Sequence, residues 1–305
     1  MPEPPRVVPV ACPFGQGSVI YVYYVDAPEP ALIDTGVAAS PAGVLEPALA
    51  AAGFRLDDVR WILATHGHYD HLGGAHALKR RVPAAQVSVH ADDHFLMRSR
   101  AAHLDGYAGV RARFLDDPAV LAQTDALLLE CISGEMAADR ELREGDHVNL
   151  GGDLTFTVVH TPGHSRGSSS FVLDGPGWAF TGDAVQVHGS SSSRFPLYED
   201  PVAYRASVDR LLNDVRPGRL FLGHRFTDPA RGQVLEAQLE GESATAALRA
   251  SLEIEAHIAA AAAQIAPPLE SAASFAPAAR VLGYDPGQPA SWPVSFFATL
   301  SGYVP

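Results

Sequence analysis

The chain contains 305 residues and carries a formal net charge of −13 at pH 7. At roughly 150 residues per domain, this length predicts two domains, or one large domain with an appendage. Hydrophobic residues make up 47% and charged residues 19% of the sequence, so we expect a large core and exclude general disorder. An acidic surface repels phosphate backbones, which disfavours nucleic acids and anionic membranes as partners.

The cysteine content and the first residues bear on the compartment. Cys12 and Cys131 are the only cysteines, and two distant cysteines do not form a disulfide framework. The N-terminus lacks a basic segment followed by an apolar run, so no signal peptide is expected. The most apolar stretch, residues 258–265, is too short to span a bilayer. We therefore expect a cytoplasmic protein without a membrane partner.

In the first half of the chain, short apolar segments alternate with helical ones. β-Branched, aromatic and apolar runs predict strands at 18–25, 31–36, 60–65 and 86–90. Helices are predicted at 41–52 and 74–81. Residues 91–130 are predicted to be mostly helical, and we expect a helical cap insertion at 95–140. Its apolar residues either line a substrate pocket or form a small separate core beneath a surface helix pair.

The second half begins with four predicted strands, separated by Gly, Pro and Asp, at 147–150, 154–160, 168–174 and 178–183. A polar loop at 188–194 leads to a predicted amphipathic helix at 199–214 and a strand at 219–224. Residues 230–265 are rich in Ala and predicted to be helical. Strands interspersed with helices indicate an α/β sandwich. We predict a catalytic domain at 1–229 and a helical C-terminal extension at 230–305.

Residues 66–71, HGHYDH, place three imidazoles and a carboxylate within six positions. Imidazole and carboxylate groups are ligands of zinc and similar divalent metals. In an extended turn, positions i and i+2 point the same way, so His66 and His68 are predicted to bind one ion. Asp70 and His71 would then face a second ion. The cluster therefore predicts a metal site rather than a structural role.

Three further residues follow an apolar strand closely and have a glycine beside them: His164, Asp183 and His224. Strand ends along one edge of a sheet converge on one cleft, where ligands usually bind. Together with the cluster, these residues supply seven ligands. That number is enough for two metal ions that share one carboxylate.

The HxHxDH pattern at 66–71, followed in order by His164, Asp183 and His224, resembles the metallo-β-lactamase superfamily over about residues 15–225. The resemblance implies an αββα sandwich with a dinuclear site at the edge of the sheets. It implies that one metal is held by His66, His68 and His164, the other by Asp70, His71 and His224, and that Asp183 bridges them. Asp34, which ends an early strand, would be a buried group that positions the ligand loop.

Differences between this sequence and the patterns of individual branches of the superfamily narrow the choice of branch. True class B β-lactamases, as a rule, lack an aspartate at the position of Asp183, and flavodiiron proteins have a glutamate where His68 stands. Hydroxyacylglutathione hydrolase, or glyoxalase II, shares the bridging aspartate and a helical C-terminal addition. Its glutathione-binding segment is only faintly similar to residues 189–196. Quorum-quenching lactonases have a tyrosine shortly after the bridging aspartate, where this chain has none.

The residues after Asp183 offer candidates for substrate binding. Either His188 or Gln186 takes the place of the lactonase tyrosine, or His188 is a polar loop residue without a role. Arg194 and Phe114 are the other predicted substrate contacts. The tail after 230 is predicted to pack beside the site or to form a homodimer contact. Phe296 and Phe297 are candidates for burial.

These features predict a hydrolase with two divalent metal ions, Zn2+ or alternatively Fe or Mn. It would cleave a small-molecule ester, lactone or thioester through a metal-bridging hydroxide. Asp70 is the predicted catalytic residue, since its carboxylate can shuttle a proton. Two alternatives remain open at this point: an iron-dependent enzyme similar to persulfide dioxygenases, and a metal-binding protein without catalytic activity.

Overall fold

The computed structural model describes residues 4–15, 17–228 and 233–304. Within these ranges, the first of two six-stranded sheets follows chain order. Its strands are β1 (Val7–Phe14), β2 (Ser18–Val25), β3 (Ala31–Ile33), β4 (Trp61–Leu63), β5 (Gln86–His90) and β6 (Arg140–Leu142). β1, β2 and β3 pair antiparallel, whereas β3 to β6 pair in parallel.

The second sheet has the strand order β14-β11-β10-β9-β8-β7. Its strands are β7 (His147–Asn149), β8 (Thr155–His160), β9 (Ser169–Leu173), β10 (Trp178–Gly182), β11 (Arg219–Leu222) and β14 (Gln238–Glu240). β12 (Thr227–Asp228) and β13 (Gln233–Val234) form a separate small pair. β10 and β11 are parallel, and β8 runs in the same direction because both β8 and β10 are antiparallel to β9.

The helices cover the outer faces of both sheets. They are α1 (Glu46–Ala51), α2 (Tyr69–Leu72), α3 (Ala75–Arg81), α4 (His94–Arg98), α5 (Arg100–Asp105), α6 (Val110–Leu115), α7 (Pro118–Cys131), α8 (Pro201–Arg210), α9 (Glu242–Ala262), α10 (Ala276–Val281) and α11 (Phe296–Ser301). Three hydrophobic cores result: one between helices and the first sheet, one between the sheets, and one between the second sheet and the C-terminal helices. The predicted αββα sandwich with C-terminal helices is confirmed.

Strand β2 is apolar throughout because both of its faces are buried. Tyr21 and Tyr23 point into the core between the sheets, whereas Val22 and Tyr24 point into the core under the first helical layer. Successive side chains of a strand point to opposite faces. Both faces of β2 are covered, so neither face requires polar residues.

The structure differs from the sequence-based expectations at several strands. The helix predicted over 230–265 begins only at Glu242, and β14, within that range, pairs antiparallel with β11. The predicted domain boundary at 229/230 lies outside the described residues. β1 and β6 were not predicted. β1 contains Pro9 and Pro13, which an edge strand tolerates because one side of its backbone has no partner strand.

The C-terminal helices pack against the segment predicted as a cap. Phe296 and Phe297 are buried, as predicted. The ring of Phe114 in α6 lies 4.7 Å from Phe275 and 5.6 Å from Phe297, between ring centroids. Within the described part of the chain, none of the helices has the length and apolar character needed to cross a membrane.

Candidate metal centre

The segments after β4, β8, β10 and β11 carry the seven predicted metal ligands, of which Asp70 and His71 lie in α2. The carboxyl ends of β8, β10 and β11 meet at one edge of the second sheet because these strands run in the same direction. The loop after β4 reaches the same place from the first sheet. The ligands therefore meet at one end of the sandwich, in the arrangement that the sequence predicts.

The first ligand group consists of His66, His68 and His164. One ring nitrogen of each lies within 4.8 Å of the others, and all three side chains are buried. Nε2 of His66 and Nε2 of His164 are 3.1 Å apart. Three convergent imidazoles in a buried place form a donor set that suits a divalent metal ion.

The second ligand group consists of Asp70, His71 and His224. Nε2 of His71 lies 3.0 Å from Nε2 of His224, and that nitrogen of His224 lies 3.2 Å from Oδ2 of Asp70. Two imidazoles and a carboxylate form a second donor set of the kind that divalent metals use.

Asp183 lies between the two ligand groups. Its Oδ1 is 3.6 Å from Nε2 of His71, and its Oδ2 is 3.5 Å from Nε2 of both His164 and His224. Oδ1 is buried and has no hydrogen-bond partner among the described residues. A buried carboxylate oxygen without a partner is costly. This oxygen therefore fits the position of a ligand to a cation.

Two glycines allow Asp183 to lie close to its neighbours. Gly182 has φ +48°, and a Cβ atom there would collide with the Thr65 side chain. A Cβ atom at Gly223 would collide with Oδ1 of Asp183. Glycine alone permits both the left-handed backbone and the close approach. The carboxylate can thus lie between the two loops.

The outer nitrogen of His71 is fixed by Asp34. Nδ1 of His71 lies 2.8 Å from Oδ2 of Asp34, and because a carboxylate only accepts, Nδ1 donates. Asp34 also accepts hydrogen bonds from the backbone N–H of Thr65 at 2.7 Å and from its hydroxyl. Asp34 is therefore buried beside the ligand loop, where the resemblance places it, and it leaves Nε2 of His71 free to ligate.

Backbone carbonyls fix two other imidazoles in the same way. Nδ1 of His164 donates to the carbonyl of Leu197 at 2.9 Å, and Nδ1 of His224 donates to the carbonyl of Val19 at 2.7 Å. Both rings consequently direct Nε2 towards the centre. These carbonyls belong to a loop and to the start of a strand, and no residue-type pattern could have revealed them.

His68 has the opposite ring orientation to His71, His164 and His224. Its Nε2 lies 3.0 Å from Oε1 of Glu199, so it donates there and presents Nδ1 to the other ligands. The ring of Tyr107 packs on His68 with centroids 3.8 Å apart. Sequence analysis did not find Glu199, since a single glutamate carries no pattern.

Asp93 is a further residue that the sequence did not reveal. It accepts hydrogen bonds from the backbone N–H of Gly67 and of Gly167, both at 2.7 Å, and from the hydroxyl of Ser165 at 2.6 Å. One carboxylate thus ties the loop that carries His66 and His68 to the loop that carries His164. Burial raises its pKa, and these hydrogen bonds oppose that shift.

The directions of the pKa shifts divide the imidazoles of the ligand groups into two kinds. Burial, followed by neighbouring histidines, lowers the pKa values of His66 and His164 well below the ordinary value, so both rings are neutral donors. Burial also lowers the pKa of His224, but Asp183 and Asp70 outweigh it and raise the value to about 10. The carboxylates therefore attract positive charge to this place, which fits a bound cation.

A cavity of about 500 Å³ opens over the two ligand groups. It is lined mainly by Phe14, Ser18, Tyr69, Tyr107, Ala108, Arg111, Thr124, Leu127, Leu128, Gln186, Ser190, Ser192, Ser193, Phe195, Leu197, Phe226, Val294, Ser295 and Ala298, together with ligand residues. Helices α6 and α7 of the predicted cap and the C-terminal segment around α11 contribute to its wall.

The three predicted substrate contacts do not line this cavity. Phe114 faces the aromatic core formed with Phe275 and Phe297, since α6 packs against the C-terminal helices. Arg194 is exposed, and His188 is half-buried, with its backbone N–H donating to Thr227. Their contact with a substrate stays a prediction, and Tyr107 lies in the cavity wall.

Sequence comparison gives one family match and several relatives. A profile of the metallo-beta-lactamase superfamily matches residues 13–224. The hydroxyacylglutathione hydrolase of Fuscovulum blasticum is 32% identical over 182 residues, which are 59% of this chain and 53% of that protein. The acyl-coenzyme A thioesterase MBLAC2 of Gallus gallus is 30% identical over 210 residues, 64% of this chain and 70% of that protein. The chain spans little more than half the length of the hydroxyacylglutathione hydrolases that it matches.

Solved structures show a similar architecture. A metallo-beta-lactamase family protein from Thermus thermophilus gives a TM-score of 0.70 at 22% identity, covering 98% of this chain and 91% of that chain. A subclass B3 metallo-beta-lactamase of Bradyrhizobium japonicum gives a TM-score of 0.51 at 23% identity, covering 78% and 85%. At these identities the likeness concerns the fold alone.

Proposed function

The chain belongs to the metallo-beta-lactamase superfamily, and from that premise we propose that it is a dinuclear metal-dependent hydrolase of a small ester, lactone or thioester. The observation that carries the proposal is the position of Asp183. Its two carboxylate oxygens lie 3.5–3.6 Å from imidazoles of both ligand groups. A carboxylate shared in this way supports two ions in one catalytic unit.

The donor set supports Zn2+ as the resident metal, with Fe and Mn as alternatives. Imidazole nitrogens and carboxylate oxygens suit all three metals, and the chain contributes no cysteine to either group. When bound, such ions lower the pKa of water and polarise a carbonyl oxygen. The histidines fixed by Asp34, Glu199 and backbone carbonyls keep the donor atoms in place.

Asp70 is the proposed proton carrier. Its side chain lines the cavity, and its Oδ2 is held by Nε2 of His224. A carboxylate at the boundary between ligands and substrate can accept a proton from the attacking water and pass it to the leaving group. Asp183, the other carboxylate that lines the cavity within the described ranges, lies between the two ligand groups.

The cavity wall supports an acyl substrate with an apolar part. Phe14, Tyr69, Leu128 and Phe226 contribute apolar surface close to the ligands, and apolar walls with few polar groups are typical of small-molecule sites. A relative named as an acyl-coenzyme A thioesterase and relatives named as hydroxyacylglutathione hydrolases favour a thioester among the three substrate classes.

Metal analysis and a substrate panel test this proposal. Protein loaded separately with Zn2+, Mn2+ or Fe2+ is assayed with thioesters, esters, lactones, β-lactams and a persulfide. We expect about two ions per chain and hydrolysis of at least one acyl substrate, both reduced in Asp183→Asn. A single tightly bound iron with oxygen consumption on the persulfide would replace the proposal with a dioxygenase. Two bound ions without turnover of any probe would favour a metal-binding protein.

A further inference from the structure

Arg111 in α6 lines the cavity, and its guanidinium is a permanent cation. Its Nη1 donates to the carbonyl of Trp292 at 2.7 Å, and its Nη2 donates to the carbonyl of Ala290 at 2.5 Å. Carbonyl groups fix the orientation of the side chain but do not neutralise its charge. Among the ion pairs of the described residues, none joins Arg111 to a carboxylate.

Arg111 is partly buried, whereas most of the described arginines without a carboxylate partner are exposed. The formal net charge is −13, so carboxylates are in excess, and arginines such as Arg81 and Arg210 do pair with them. Burial lowers the pKa of Arg111, and no acidic neighbour opposes that shift. Partial burial of an unpaired charge costs free energy, which a bound anion would offset.

Arg111 lines the same cavity as residues of both ligand groups. Tyr107, one turn earlier in the chain, packs on His68 and lines the same cavity. The guanidinium has five N–H groups, and the two carbonyls leave donors available on the same planar fork. Guanidinium forks bind carboxylates and phosphates in a bidentate manner.

We propose that Arg111 anchors an oxyanion group of the substrate, a carboxylate or a phosphate, at the end remote from the scissile acyl bond. This inference rests on the proposed hydrolase function, since it names the class of acyl substrate. The Phe14, Tyr107 and Leu128 side chains would contact the part between the two ends. The substrate is therefore an anionic ester or thioester rather than a neutral one.

Matched thioesters test the proposal. S-acetyl ω-mercaptocarboxylates of increasing chain length are compared with their primary amides, which have nearly the same size but no charge, and with the corresponding ω-mercaptoalkyl phosphates. In the wild type, we expect kcat/KM to be at least roughly tenfold higher for one anionic series than for the amides. The comparison of the carboxylate series with the phosphate series shows which oxyanion the site binds.

The variants are Arg111→Gln, Arg111→Lys and, as a matched control on the same helix, the exposed Arg113→Gln. The anion-to-amide ratio should fall towards one in Arg111→Gln, mainly through KM, should be partly kept in Arg111→Lys, and should be unchanged in Arg113→Gln. Because the ratio is formed within one protein sample, it does not depend on the fraction that is folded. An equal ratio in wild type and both Arg111 variants would overturn the proposal.

Binding to the protein without turnover separates this inference from the proposed function. Calorimetry measures the affinity of the ω-mercapto acids, amides and phosphates for wild type and Arg111→Gln. Failure of every thioester to react, together with tighter anion binding that requires Arg111, would refute thioester hydrolysis but keep the anion site. Equal affinity for the acids, phosphates and amides would refute the anion site.

Discussion

His68 and Glu199 are joined by a hydrogen bond of 3.0 Å between Nε2 and Oε1, although they lie 131 positions apart in the sequence. The glutamate determines which nitrogen of His68 ligates, because Nε2 must keep its proton to donate. The backbone N–H of Glu199 donates to the carbonyl of Gly163, next to His164. One residue therefore connects two members of the first ligand group.

Replacing Glu199 by Ala should weaken metal binding at the first ligand group by about 10- to 100-fold, the usual effect of losing such a partner of a ligating histidine. Glu199→Gln should recover part of the affinity because its amide oxygen still accepts. Competition with a chelating dye measures the change. Glu141→Ala is the matched control, since Glu141 bonds a histidine remote from the metal centre, His94. Equal losses in both alanine variants would contradict a specific role of Glu199.

Replacing Asp183 by Asn keeps the size of the side chain but removes its charge. The two cations then repel more strongly, and we expect kcat to fall at least ~100-fold with a smaller change in KM. The second ligand group should lose its ion first, because it has two imidazoles where the first has three. Elemental analysis together with steady-state kinetics checks both expectations. Near wild-type turnover with both ions retained would show that Asp183 does not couple the sites.

Replacing Phe114 by Ala should reduce stability rather than alter substrate choice. The ring packs between Phe275 and Phe297 and lies outside the cavity lining. Because Phe114 is only partly buried, we expect a loss of about 2–3 kcal/mol in the free energy of unfolding, below the range for fully buried aromatic residues. Urea unfolding measures it, with the half-exposed Phe95→Ala as control. A changed substrate preference at wild-type stability would show instead that Phe114 contacts the substrate.

The pH dependence of stability should reflect His103. Burial, followed by His68, lowers the pKa of His103 to about 4 from its ordinary value of 6.5. Between these values the unfolded chain binds the proton and the folded chain does not, so stability falls as the pH drops from about 6.5 to about 4. The contribution is on the order of 3 kcal/mol.

The variant His103→Gln removes this titration while its amide can still donate to the carbonyl of Leu96, the partner of His103 Nε2. We therefore expect the unfolding free energy of the variant to fall less than that of the wild type between pH 7 and pH 4.5. Denaturant titrations at both pH values check the difference. Parallel losses in the two proteins would mean that other groups account for the acid sensitivity.

The sequence by itself determined which residues meet in the candidate metal centre and the class of fold. Four donors within HGHYDH leave few other uses for those residues, and the strand ends that carry His164, Asp183 and His224 converge because parallel strands share one edge. The alternation along β2 follows from local backbone geometry. Such features depend on neighbours in the chain, and they can therefore be predicted from the chain.

Only the tertiary structure decided what surrounds the ligands. Glu199, Asp93 and Arg111 are single polar residues without a periodic pattern, and their roles arise from contacts with residues 131, 74 and 181 positions away. β14 pairs in the second sheet although its sequence was predicted to be helical, because pairing with β11 outweighs local propensity. Phe114 was placed in the site by its residue type, and the packing of α6 on the C-terminal helices placed it in the core. Long-range packing selects these partners after the local elements have formed, so the local sequence does not record them.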